Sequence, residues 1–187
     1  MVKIIITEEF SMPTYQPVLY QASSPAAEYS GQIAAAFTQN LRADVIKPLL
    51  KRHGLENVDP AAWYPQQQIL DILRDIEREF TFEELVAVGI KASELVPPPP
   101  MFHNIESVVQ AANLLHQSAC RNVQPDEGVF TEQIGERHYR LTFNLPSPPF
   151  AIYGVLYGLM RQVRKPNEDP RLVFIRRETP AVIEVRW

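Results

Sequence analysis

The chain has 187 residues, of which 45% are hydrophobic and 21% charged, with a formal net charge of −4. That length suits one compact domain, and the composition is that of a globular protein rather than a disordered or membrane-embedded one. The acidic balance argues against nucleic acid as a partner, which needs clustered Lys and Arg. No apolar run is long enough to span a bilayer, and a single cysteine, Cys120, excludes a disulfide framework or a cysteine-rich zinc site.

The N-terminus, Met1–Glu9, lacks the long apolar core of a secretory signal, so a cytoplasmic location is expected. Val2–Thr7 is β-branched and reads as an edge strand. The following stretch, with Pro13, Tyr15, Pro17, Tyr20, Pro25 and Tyr29, has no period, so residues 1–30 read as an extended arm. From Gly31 the pattern becomes helical. Ile33, Ala36, Phe37 and Leu41 share one face, and Val45, Leu49 and Leu50 continue it beyond a break near Asn40. Pro48 is expected in the first turn of that second helix, and Gly54 stops it. Pro65 opens a third helix with a stripe of Ile69, Leu70, Ile72, Leu73 and Ile76. Thr81 and Glu84 form a capping box for a fourth. Pro97–Pro100 is a polyproline spacer, read as a rigid linker in preference to an SH3-type ligand. Asn104 caps a fifth helix carrying Ile105, Val108, Val109, Ala112, Leu115 and Ala119.

Beyond Pro125 the period falls to two. Tyr139, Leu141, Phe143 and Leu145 alternate with polar residues, as in a half-buried strand, and Val129–Gln133 pairs with it through Gly135. Ser147 caps a helix that starts on prolines and runs from about Phe150 to Val163. It is apolar nearly all round and therefore expected to be central. Arg171–Arg176 and Ala181–Trp187 form a second hairpin. The expected fold is α+β, a single domain over 31–187 with helices in 31–121 and the sheet and central helix in 127–187.

Several motifs in this order resemble the superfamily of haem-nitric-oxide-binding sensors, vinyl-reductase-type domains and subunits of the TRAPP tethering complex. They are a helix carrying Leu115-His116, a strand with His138-Tyr139-Arg140, Pro149-Phe150 opening a helix with Gly154 and Gly158, and a last strand closing on Trp187. Tyr64-Pro65 before a long helix is similar to bacterial members. The resemblance implies a ligand-binding module. In its haem-binding branch, His116 stands at the position of the iron ligand. A Tyr-x-Ser-x-Arg motif there holds the propionates. Tyr139 matches the tyrosine, but Leu141 and Phe143 replace the serine and arginine, which would leave buried carboxylates without donors. Haem is thus possible but disfavoured.

Each candidate residue also has a plainer reading. A histidine such as His116 is more often a hydrogen-bonded residue than a metal ligand. Cys120 lies four residues on, on the same helical face, but two ligands do not make a structural zinc site, so no metal is expected. Gly154 and Gly158 permit close approach by a helix or a ligand, and Tyr153 and Tyr157 lie on an adjacent stripe. No nucleophile elbow, phosphate loop or zinc-protease motif is present, so nothing argues for an enzyme. The expected function is a non-catalytic sensor or effector-binding module. Its apolar pocket would be lined by Leu115, His116, Tyr139, Phe143, Tyr153, Gly154, Tyr157 and Gly158, and its ligand would be a hydrophobic small molecule. One alternative is a dimerising or docking scaffold for a partner protein, and a second, implied by the resemblance, is a haem-based gas sensor using His116. A homodimer is expected in each case.

Overall fold

The computed structural model describes residues 14–38, 41–94 and 98–187, with backbone alone at 37 and 151. The expected strand Val2–Thr7, the anchors Phe10 and Met12, the break at Asn40 and the first proline of the spacer lie outside them. The architecture is α+β: seven helices and seven strands among the described residues, the strands in two antiparallel sheets.

Residues 14–30 run along the chain's own surface. The Tyr20 amide donates to the Pro146 carbonyl at 2.8 Å, and the Ala22 and Ser23 amides donate to the side chains of Gln67 and Gln66. The segment ends in β1 (Glu28–Ser30), the middle strand of a small sheet flanked by β2 (Trp63–Pro65) and β3 (Cys120–Arg121). Helices α1 (Gly31–Thr38), α2 (Ala43–Arg52), α3 (Gln66–Glu79) and α4 (Phe82–Glu94) follow the expected apolar stripes. Gly54, with φ of +73°, ends α2 in the left-handed region that favours glycine. The Thr81 amide and the Glu84 amide each bond the other residue's side chain, at 2.8 and 3.3 Å, to cap α4.

Three local expectations change. Pro48 lies inside α2 rather than in its first turn, so one helical hydrogen bond is forgone. The fifth helix is two: α5 (Ile105–Gln110), capped by Asn104 and Ser107, and α6 (Ala112–Ser118), joined at Ala111. Ser147 does not cap the central helix α7 (Pro149–Val163). Its hydroxyl pairs with that of Tyr29 at 2.8 Å, and Pro148 occupies the cap position.

The larger sheet has the order β4-β5-β7-β6, made of the hairpins β4 (Gly128–Gly135)–β5 (His138–Asn144) and β6 (Arg171–Arg176)–β7 (Ala181–Arg186). All its pairings are antiparallel, with Leu141 opposite Ile183 at the centre. The inward alternation of Tyr139, Leu141 and Phe143 packs on α5 and α7 in one hydrophobic cluster. A second cluster joins α2, α3 and α4 to Tyr29 and Phe150. Helix α7 contributes to both. It lies against α4 because glycines remove the intervening side chains: a Cβ on Gly154 would stand 2.4 Å from the Val86 carbonyl oxygen and 3.0 Å from the Gly89 Cα. No helix among the described residues is long and apolar enough to cross a membrane.

Candidate functional site

Between the two clusters lies a cavity of about 310 Å³. Its walls are Ile33 and Ala36 of α1, Leu73 of α3, Ala112 and Leu115 of α6, and Ile152, Val155 and Leu156 of α7. Val129 and Leu145 close it from the sheet side. Polar groups are few: Tyr29, Gln32, Ser93, His116, Ser118 and Ser147. Such a lining suits a small apolar molecule oriented by one or two hydrogen bonds.

His116 connects this wall to a buried polar cluster. Its Nε2 lies 3.4 Å from Cys120 Sγ and 3.4 Å from Glu127 Oε1. Helix α6 projects His116, β3 carries Cys120, and the turn entering β4 supplies Glu127, whose amide donates to the Gln124 carbonyl. Glu127 is 1% exposed and Gln66 is fully buried; the Gln66 amide nitrogen donates to Glu127 Oε1 at 2.8 Å. Glu127 Oε2 and the buried Tyr15 hydroxyl have no hydrogen-bond partner among the described residues. The Glu127 carboxylate is felt around it. Burial pushes the Cys120 thiol up to about 12, and Glu127 adds to the effect. Tyr15 is raised to about 12 by the same two causes, and Tyr29 is also raised, by burial and then by Glu127.

Of the residues singled out in the sequence, Leu115 and His116 line this cavity. The others lie elsewhere. Tyr139 stacks on Trp187 with ring centres 5.7 Å apart, and its hydroxyl donates to Glu106 at 2.5 Å. Phe143 is core, 2% exposed. Gly154 and Gly158 face α4, where Gly89, Ile90 and Ser93 meet them. Tyr153 stacks on Phe174 in a separate surface groove with Phe82 and Arg177, its hydroxyl donating to the Leu172 carbonyl, and Tyr157 lies beside it. Glu127 and Gln66 escaped the sequence reading. Gln66 left one trace there, being a polar residue on the apolar stripe of Ile69, Leu70, Leu73 and Ile76. Glu127 left none, since an acid in a turn ordinarily faces water.

No family model matches the sequence, and no curated protein matches it. Solved structures do. A structure from work on haem distortion in the H-NOX family is 12% identical, with a TM-score of 0.59 over 84% of this chain and 94% of that one. Another, from work on modulating haem redox potential through porphyrin distortion, is 12% identical with a TM-score of 0.60, covering 84% and 99%. The H-NOX protein from S. oneidensis in its Fe(II)NO state is 14% identical with a TM-score of 0.57, covering 83% and 97%.

The residues present do not fit haem held by a histidine and a propionate-binding strand. None of the described cavity-lining residues is Arg or Lys. Leu141 and Phe143 are packed in the sheet core, 0% and 2% exposed, so two propionates would lose their hydration without charged donors. The Tyr139 hydroxyl is committed to Glu106. The chain is thus similar to H-NOX domains in fold, across more than four-fifths of its length, at an identity that carries the fold alone.

Proposed function

We propose that this chain is a non-catalytic, cytoplasmic sensor or effector-binding module. Its ligand is a small, mostly apolar molecule held in the cavity between α1, α6, α7 and the larger sheet. The observation that carries this reading is the cavity itself: about 310 Å³ of space walled by aliphatic side chains, with a few polar groups including His116. A concave, mostly apolar surface of that kind is poorly solvated by water. An apolar ligand that covers it gains burial free energy of about 25 cal/mol per Å². The H-NOX-like fold supports the same reading.

Native mass spectrometry of the freshly purified chain, with analysis of extracted small molecules, tests it. Displacement of an apolar fluorescent dye gives a second readout. The expected result is stoichiometric dye binding that is lost in Ala92→Phe, since Ala92 of α4 also lines the cavity. Dye binding unchanged by that substitution in a folded variant would refute the assignment.

A second reading, a docking scaffold, is favoured by β6. It is an edge strand with Val173 and Ile175 both more than half exposed on its outer face. An uncovered apolar edge can pair with another copy of the chain.

A further inference from the structure

We propose that His116, Cys120 and Glu127 form a mononuclear site for a divalent transition metal of the zinc class, ligated through Nε2, Sγ and a carboxylate oxygen. The first observation is geometric. A tetrahedral zinc ion sits about 2.0–2.1 Å from imidazole nitrogen and about 2.3 Å from thiolate sulfur, which places N and S about 3.5 Å apart and N and a carboxylate O about 3.3 Å apart. Here His116 Nε2 is 3.4 Å from Cys120 Sγ and 3.4 Å from Glu127 Oε1. The three ligand atoms lie within 4.8 Å of one another.

The second observation is independent of that spacing. The Glu127 side chain is fully buried, and its Oε2 has no hydrogen-bond partner among the described residues. An orphaned oxygen on a buried carboxylate costs free energy that a bound cation would offset. Among the described residues, His116 is the one cationic-type side chain recorded within 4.0 Å of it. Gln66 donates at 2.8 Å to Oε1, the oxygen that faces His116, and so orients the carboxylate as a buried partner commonly does at a metal site.

Three backbone elements converge on the site, so its geometry is set by the fold rather than by mobile side chains. Three protein donors leave one coordination position for water or an exogenous ligand. Because His116 also forms part of the cavity wall, an ion here would lie against the cavity, although the site does not depend on the cavity holding a ligand. Binding converts the Cys120 thiol to a thiolate, and the displaced proton goes to solvent.

The test uses the full chain, stripped with a chelator and titrated with Co²⁺ and then Zn²⁺. The expected result is one Co²⁺ per chain, with the intense visible bands of tetrahedral cobalt and a thiolate-to-cobalt charge-transfer band, all abolished by Zn²⁺. In Cys120→Ser the charge-transfer band disappears, and affinity falls at least tenfold. Glu127→Gln keeps an acceptor for Gln66 and weakens binding at least tenfold. If Glu127→Gln fails to fold, the Cys120→Ser spectrum, read on protein whose circular dichroism matches wild type, decides alone. Folded wild-type protein that takes up no Co²⁺ at micromolar concentration would overturn the proposal and leave an ordinary buried polar cluster. So would a cobalt spectrum and affinity left unchanged by Cys120→Ser, because Cys120 would then not be a ligand.

Discussion

Replacing Gly154 by alanine sets two effects of opposite sign against each other. In an exposed helix interior the change stabilises by about 1 kcal/mol, because glycine loses more backbone entropy on folding. Here the new methyl would meet the Val86 carbonyl oxygen at 2.4 Å, the Gly89 Cα at 3.0 Å and the Ile90 amide nitrogen at 3.2 Å. All three are backbone atoms of α4, so no side chain can swing aside. One helix must move. Overpacking of that kind costs about 1–3 kcal/mol, and a contact made wholly of backbone belongs at the upper end. Subtracting the propensity gain leaves a net loss of about 2 kcal/mol, or about 4–8 °C in Tm for a domain of this size. Thermal and urea unfolding followed by circular dichroism measure it. A rise in Tm would refute the close α4–α7 packing, since it is what propensity alone produces. Gly158→Ala adds a built-in comparison. Its worst contact is the Ser93 hydroxyl, a side chain, so Ser93→Ala should recover part of its loss but none of the Gly154 loss.

Three further outcomes are expected. Hydrogen bonds from Arg140 first and His138 second hold the Glu184 carboxyl down, from its ordinary 4.5 to about 2. A depressed folded-state value means this contribution is fully present above pH 4.5 and is lost as pH falls toward 2, so Glu184→Gln should flatten the acid limb of stability against pH in that window. An unchanged limb would count against the cluster. Purified protein should show no stoichiometric Soret band, and a band that vanishes in His116→Ala would contradict the account of the cavity. Finally, light scattering should report a homodimer for the full chain and a monomer for residues 14–187. The cut belongs there and not at residue 30, because β1 is the middle strand of its sheet. A full-length monomer would remove the dimer. A dimeric 14–187 would move the interface to another surface, with the exposed β6 edge as the first to test.

Long periodic segments were legible in the amino-acid sequence because one face of each is buried. The alternation of Tyr139, Leu141 and Phe143 gave the sheet, and the Ile69–Ile76 stripe gave α3. The three-stranded sheet was not legible. Its strands are two or three residues long, too short to show a period, and they are assembled from segments far apart in the chain. The split at Ala111 was hidden for a related reason: the apolar spacing of Ile105, Val108, Ala112 and Leu115 runs straight across it. At the site, Leu115 and His116 were visible through a motif. Glycine spacing suggested a pocket where there is a helix contact, since a missing Cβ looks the same in sequence whether a backbone or a ligand comes close. Glu127 acquires its character only from burial, and burial of a turn is a tertiary fact.

Helix α7 is 15 residues long, so about 22 Å separates its ends. Within that length Phe150 belongs to one hydrophobic cluster and Leu156, Leu159 and Met160 to the other, while Ile152, Val155 and Leu156 form a wall of the cavity. A rigid rod anchored at both ends cannot yield at its middle alone. A ligand that displaces the wall must tilt or slide the whole helix, and the backbone contact at Gly154 offers α4 as the surface it slides on. Under the proposed function, a ligand that shifted α7 would therefore disturb both hydrophobic clusters together, because the helix is packed into each of them.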